Sequence, residues 1–243
     1  MGTLFDFKLV FTQIPELLKY LPVTLELAGI SMVFSLFLGL LIAVIRIKKV
    51  AILTPISSAY ISIIRGTPIL VQLYVVYFGI PLILKAINAR WGTEYNVNGV
   101  APIVYAFVAL SINESAFNAE IIRAALQSVD KGQIEAAHAL GMTYLQALRR
   151  VILPEAIEVA LPSLGNSLIG LIKGTSLAFV CSVVEMTAQG KIIAGRTYRY
   201  FEVYVSLALI YWFLTFIIER VIALIEKKIR VPEEAPALQK TEG

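Results

Sequence analysis

Glu135-Ala136-Ala137-His138-Ala139-Leu140-Gly141, followed nine residues later by Val151-Ile152-Leu153-Pro154, is the stretch on which the reading of this chain turns. It lies in a polar, charged island, from Arg123 to Arg150, inside an otherwise oily sequence. Ile134, Ala137, Gly141, Tyr144/Leu145 and Leu148 recur every three to four residues, the spacing of one face of an amphipathic helix. Small residues at 136, 137, 139 and 141 let another surface come close to the backbone. Lys131-Gly132 precedes the helix, and Pro154 fixes the chain as it turns back into apolar sequence. Three roles compete: a solvated loop helix, a helix lying on lipid, and a docking helix for a soluble partner. The apolar face is small and interrupted, which counts against lipid.

Composition makes the surroundings of that island a membrane. The chain is 58% hydrophobic with mean hydropathy +0.79, against an apolar share of about half in soluble domains. Only 16% of residues are charged, and the net charge of +4 comes from Lys and Arg at segment ends, which points to topology rather than to nucleic acid. The single cysteine, Cys181, permits no internal disulfide and reads as a buried small hydrophobe. The amino end carries Asp6 and Glu16 and has neither the basic cluster nor the cleavage site of a signal peptide. Met1-Gly2 also lacks the Ser or Thr that a myristoylation signal wants, since position 6 is Asp.

The chain divides into a mixed lead-in at 1–20, expected to form an interfacial helix, a membrane domain at 21–228 and a solvated tail at 229–243. Within the membrane domain five apolar spans are expected: Leu21 to Ile45, Pro55 to Leu84, Gly99 to Leu126, Pro154 to Val184, and Val203 to Ile225. Each is long enough for a hydrocarbon core of about 30 Å. Arg65-Gly66-Thr67-Pro68 should kink the second span, and the fourth should break near Lys173-Gly174-Thr175. Gly29 and Gly39 suit close helix packing, and Trp91 suits an interfacial anchor. The island, with its coupling segment at 129–150, falls between spans three and four. Five spans place the termini on opposite sides. With the amino end outside, eleven Lys and Arg fall on inner segments (Arg46, Lys48, Lys49, Arg123, Lys131, Arg149, Arg150, Arg220, Lys227, Lys228, Arg230). Seven fall on outer ones (Lys8, Lys19, Lys85, Arg90, Lys191, Arg196, Arg199). That is the favoured orientation, although the last outer loop goes against it.

Glu-Ala-Ala, three residues, Gly, nine residues, an aliphatic, one residue and Leu-Pro resembles the EAA signature of the membrane subunits of ATP-binding-cassette (ABC) importers. Val151 stands where Ile is usual. Arg65-Gly66-Thr67-Pro68 running to Gln72-Leu73, Ala116-Phe117-Asn118-Ala119-Glu120 running to Arg123, and Lys173-Gly174-Thr175-Ser176-Leu177 are similar to three further runs of the polar amino acid branch. The likeness covers about residues 20–228. It departs at Gly174, where the branch usually has Asp, so a cation-recognising role for that carboxylate does not carry over. The resemblance implies an all-α type I ABC importer fold with a cytoplasmic coupling helix between helices 3 and 4. It further implies a multi-pass protein of a prokaryotic inner membrane, amino end outside and carboxyl end cytoplasmic. Two permease subunits, identical or paralogous, would flank a path, fed by an extracytoplasmic binding protein and driven by two ATPase subunits. The ATPase contact would fall to Glu135, Ala136, Ala137, Gly141, Leu153 and Pro154. ATP and its magnesium would sit on the partner, with no cofactor or metal on this chain.

Ionisable side chains inside a span cost a few kcal/mol and face protein or a wet cavity. Glu114, Glu120 and Lys173 qualify. A zwitterionic amino acid calls for an acceptor at its ammonium, for which Glu120 serves. It also calls for a donor at its carboxylate, for which Lys173 serves with Thr175, Ser176 and the amides of a broken helix at Gly174. Asn113 and Glu114 complete the candidate set. The competing reading is structural: Glu120 pairs with Arg123 three residues on, and Lys173 snorkels. Arg65 reads as an inner-side packing or ion-pair residue, and His138 as neither metal ligand nor base. With one His, one Cys and no Walker run, the chain offers no catalytic constellation and no ATPase. The function expected is the permease subunit of an amino acid importer. Cystine is favoured among substrates from the resemblance of the flanking Ser128–Gln133, Ser176–Phe179 and Val183–Met186 runs. An ion-coupled carrier acting alone, or a membrane subunit with no path, are the alternatives.

Overall fold

The computed structural model describes residues 5–97 and 99–229. Among them every regular element is helical: α1 (Phe7–Thr12), α2 (Ile14–Leu18), α3 (Leu21–Ile47), α4 (Leu53–Gly66), α5 (Ile69–Trp91), α6 (Pro102–Ser128), α7 (Lys131–Ala139), α8 (Tyr144–Ala147), α9 (Leu153–Gly174), α10 (Met186–Thr197) and α11 (Tyr200–Ile229). A π turn, Leu148–Ile152, joins α8 to α9, and a 3-10 stretch, Thr175–Cys181, follows α9. The expected tail lies outside the described residues from 230 onward.

Four stretches are long and apolar enough to cross a membrane: α3, α5, Tyr144–Cys181 and α11. α6 matches α3 at 27 residues but falls short in hydropathy, because Asn113, Glu114, Asn118 and Glu120 interrupt it. Its surroundings explain this. α6 packs against α3, α4, α5 and α9 and buries Ser111, Ser115 and Asn118, so its neighbours are protein rather than lipid tails. Polar side chains act as glue between such helices.

Direction follows from the contacts. Gly39 of α3 lies against Asn118 and Ala119 of α6, and Arg46 reaches Glu120, so α3 and α6 run parallel. α9 is antiparallel to them, since Ser167 meets Asn118 while Ala156 and Ala160 cluster with Ala125. One end of the bundle therefore gathers the ends of α3 and α6, the start of α9 and the α7–α8 insert. The other gathers the starts of α3, α6 and α11 with α10.

Three expectations change. Thr67 and Pro68 are both extended, so the second span is two helices, α4 and α5, and not one kinked helix. The break is tied by Gln72, whose Nε2 donates to the Ile64 carbonyl at 2.8 Å and to Thr67 Oγ1 at 2.8 Å. The lead-in is likewise two short helices. Asp6 caps α1 through the Lys8 and Leu9 amides, Val10 and Leu17 are buried, and Ser206 of α11 donates to the Val10 carbonyl at 2.7 Å. The lead-in packs on α11 by one side while Phe7 and Phe11 remain 70% and 55% exposed. Of the two packing glycines only Gly39 packs: a Cβ there would meet Ala119 N at 3.0 Å, whereas at Gly29 nothing lies within 4 Å. Gly39→Leu should force α3 off α6 and cost about 1–3 kcal/mol from overpacking, read as a lower melting temperature in detergent. Gly29→Leu should leave it unchanged.

Candidate functional site

Two polar features stand out from the apolar bundle. The first is a seam through its middle. Asn113 Nδ2 donates to Gln72 Oε1 at 3.0 Å, Ser167 Oγ shares its one proton between Asn118 Oδ1 at 2.8 Å and the Glu114 carboxylate, and Asn118 Nδ2 donates to Ser35 Oγ at 2.9 Å. α3, α5, α6 and α9 are thus stitched by amides, hydroxyls and one carboxylate. Of the candidate substrate residues, the seam brings together Asn113 and Glu114. It also recruits Gln72, Ser35, Asn118 and Ser167, which lie outside the candidate set read from the sequence. The polar recurrence along α6 at 113/114, 118 and 120 is the signal that one face of that helix is not apolar.

The others lie apart. Glu120 is held by Arg46 of α3 and by Arg123 of its own helix, whose Nη2 and Nε lie 2.7 and 3.1 Å from Oε2. Its carboxylate already has two cations. Because α6 and α9 are antiparallel, with Ser167 opposite Asn118, Glu120 and Lys173 are separated by roughly 12 Å along the axes at 1.5 Å per residue. Lys173 lies on the exposed side of α9 with Asn166 and Gly170, one face by their four- and three-residue spacing. Thr175 is fully buried and its hydroxyl donates to the Ile172 carbonyl at 2.7 Å, so it points into the bundle. Ser176 is half-buried. At the expected break Gly174 is helical at φ −64, and the Thr175 N–H is taken by the Leu171 and Lys173 carbonyls. Gly174 and Gly170 both have open space where a Cβ would stand. Arg65 lies over the Phe117 ring at 5.3 Å.

The second feature is the α7–α8 insert. Asp130 caps α7 by accepting from the Gly132 amide at 2.7 Å. α7 ends in a reversal: the Leu140 N–H donates to Ala136 O at 3.0 Å and the Met142 N–H to Ala137 O at 3.1 Å. Gly141 sits at φ +79 between them, a left-handed conformation that glycine adopts at no steric cost. This is the physical reason for glycine at that place. Thr143 and Gln146 then form a reciprocal capping box that starts α8, satisfying two otherwise orphan amides. The single amphipathic helix expected here is therefore two helices at an angle, and its supposed shared face is split. Ala137 and Ala147 are buried, and Ile134 and Leu148 pack on Ala125, Val129 and Ile152. Leu140, Tyr144 and Leu145 project instead, 80%, 65% and 71% exposed. Glu135, Ala136, Gly141 and Pro154 are exposed too, and Leu153 is at 39%. The structure gathers most of the coupling candidates on an accessible knob, with Ala137 beneath it as its anchor.

Comparison with known proteins gives this geometry its setting. The chain is 41% identical over 93% of its length, and 97% of the relative's, to a probable amino-acid permease protein YxeN of Bacillus subtilis (strain 168). It is 37% identical over 95% of its length, and 94% of the relative's, to the L-cystine transport system permease protein TcyL of the same organism. It superposes with TM-score 0.76 and 37% identity on a chain from a crystal structure of an amino acid ABC transporter with histidines, covering 92% of this chain and 99% of that one. The architecture is the type I ABC importer permease fold, and the relatives are transport subunits rather than enzymes. Residues 35–231 match the model of the binding-protein-dependent transport system inner membrane component, and the chain belongs to that family.

Proposed function

We propose that this chain is the membrane-spanning subunit of an ATP-driven amino acid importer, one half of the path through the bilayer, gripped by a separate ATPase. The observation that carries this reading is the α7–α8 insert: a capped knob that shows Leu140, Tyr144 and Leu145 to solvent. It lies at the bundle end that also carries Arg46, Lys48, Lys49, Arg149 and Arg150. That charge distribution supports a cytoplasmic position for the insert, and with it five crossings, α6 being the protein-covered one. Apolar side chains on a capped turn suit a cleft in a soluble partner. Motion of the ATPase pair would pass through α7–α8 and the π turn into α9.

The path is assigned to the exposed face of α9, where Asn166, Gly170 and Lys173 line up. An exposed ammonium within a span is costly against lipid, which supports water, a substrate carboxylate or a second permease copy across from it. Glu114 reaches α9 at Ser167, Asn113 meets Gln72 of α5, and half-buried Ser176 lies three residues beyond Lys173, whereas Glu120 serves the closure of α3 on α6. The partners that follow are the ATPase pair, a second permease subunit and an extracytoplasmic binding protein. The substrate is a polar amino acid, and the likeness to TcyL favours cystine within that class. Gly174 leaves room for a bulky disulfide-linked substrate.

The reading is tested by uptake into proteoliposomes. Labelled amino acid should accumulate only when the ATPase is present and ATP is supplied; uptake by this chain alone on a pH or sodium gradient would replace the proposal with an ion-coupled carrier. Within the working complex, Lys173→Met should lower uptake about ten-fold or more by removing a charge-assisted contact. Gly174→Asp enters open space, so any change it makes in the preference among cystine, arginine and glutamine reports charge and not packing.

A further inference from the structure

The turn between α10 and α11 lies at the end of the bundle away from the α7–α8 insert, because α9 starts at the insert and runs the length of the bundle before the 3-10 stretch and α10 follow. With the insert cytoplasmic, α10 and this turn are extracytoplasmic, and their Lys191, Arg196 and Arg199 run against the positive-inside rule. Two of the three are used within the fold. Lys191 Nζ lies 2.9 Å from the centroid of the Phe179 ring, and Arg199 Nη1 pairs with Glu202 at 3.1 Å. Arg196 is exposed and has no ion pair among the described residues. Of the neighbouring carboxylates, Asp6 is half-buried and taken up by the Lys8 and Leu9 amides, and the other two are hidden. Glu185 is fully buried and caps α10 through the Thr187 and Ala188 amides at 2.9 and 2.7 Å; Glu202 is buried and accepts from the Asp6 amide at 3.3 Å. The exposed charge here is that of Arg196.

The turn is also aromatic, at a cost. Tyr198 is 84% exposed and sits at φ +56, a left-handed conformation that glycine or asparagine adopts more easily. No burial of the ring offsets this. The conformation is nevertheless defined, since the Tyr198 N–H donates to Ala194 O at 2.8 Å and the Arg199 N–H to Thr197 Oγ1 at 3.3 Å. Tyr200 and Phe201 beside it are 50% and 69% exposed. A strained, presented tyrosine next to an unpaired arginine, on a base fixed by two buried carboxylates, has the residue types that dominate protein–protein contacts.

We propose that Arg196, Tyr198 and Tyr200 form a docking foot for the soluble binding protein that delivers substrate, which meets them with an acidic patch and a recess for the Tyr198 ring. The proposal rests on the importer reading. Its test uses the whole complex, permease pair with ATPase, in proteoliposomes, titrated from the extracytoplasmic side with the purified, amino-acid-loaded binding protein while ATP hydrolysis is followed. Arg196→Glu should raise the half-saturating concentration of binding protein roughly ten-fold, most at low salt, with hydrolysis in its absence unchanged. Tyr198→Gly keeps the left-handed backbone and removes the ring, so it should fold as well as the parent and still lose a similar factor. Wild-type half-saturation in both variants overturns the foot while leaving the importer reading intact. Absence of stimulation in the parent protein overturns the importer reading itself. A loss that tracks the anionic lipid content of the vesicles, not the binding-protein concentration, places the turn on the membrane surface and also overturns the foot.

Discussion

Replacing Gly141 with valine is expected to reduce ATP-driven uptake more than ten-fold while the chain still inserts and folds. Nothing lies within 4 Å of the place a Cβ would take at this residue, so the penalty is not a clash. It is the backbone: φ +79 is strained for a β-branched residue by about 1–3 kcal/mol. The bundle does not have to absorb that strain, because the α7–α8 knob can reorient at its turn. Relief would come from swinging α8 relative to α7, which misplaces Leu140, Tyr144 and Leu145. Gly141→Asn should be much milder, since asparagine tolerates the left-handed region. Uptake and retention of the ATPase on the purified permease both report the outcome. Equal loss in the two variants would mean that the turn geometry is not what matters.

The second large effect is expected at Glu120. Glu120→Gln removes the anion between Arg46 and Arg123 and leaves two half-buried guanidinium groups facing each other across α3 and α6. Breaking such a pair is more damaging than its net worth, because the remaining charges stay poorly solvated. With all three side chains partly exposed, the loss is discounted to about 1–3 kcal/mol. A lower melting temperature with KM for the amino acid unchanged is the expected pattern. Adding Arg46→Gln should recover part of the stability, the coupling seen when two groups share one interaction. A raised KM at unchanged melting temperature would return Glu120 to the substrate site.

The contrast between those two residues shows what the sequence can carry. Gly141 is marked out by its spacing from Glu135, but as one position on a single helix face; the left-handed turn it makes between α7 and α8 is not read from the sequence. The polar character of α6 is legible, in Asn113, Glu114, Asn118 and Glu120. Their partners are not, since Ser167 and Arg46 are 49 or more residues distant from Asn118 and Glu120 and no periodicity links them. Arg123, three residues from Glu120, is the visible partner; Arg46 is hidden by chain separation. The direction of Thr175 is hidden for another reason: a hydroxyl in a motif has no direction until the helix carrying it is placed, and here it lies buried against the Ile172 carbonyl. The extended pair Thr67-Pro68 shows the same limit, for a proline predicts a disturbance and not whether the helix bends or stops.

The most direct measurement of the central claim is a cross-link from the tip of the insert to the ATPase subunit. Cys181 is the sole cysteine and is buried, so Leu140→Cys offers a single accessible thiol at that tip. With the assembled importer in membranes, a short thiol-to-thiol cross-linker should join the Leu140→Cys permease to a cysteine placed in the ATPase cleft, with a yield that changes when ATP is added. Failure to join the ATPase, together with labelling of that thiol by a membrane-impermeant reagent from the extracytoplasmic side, would contradict the account.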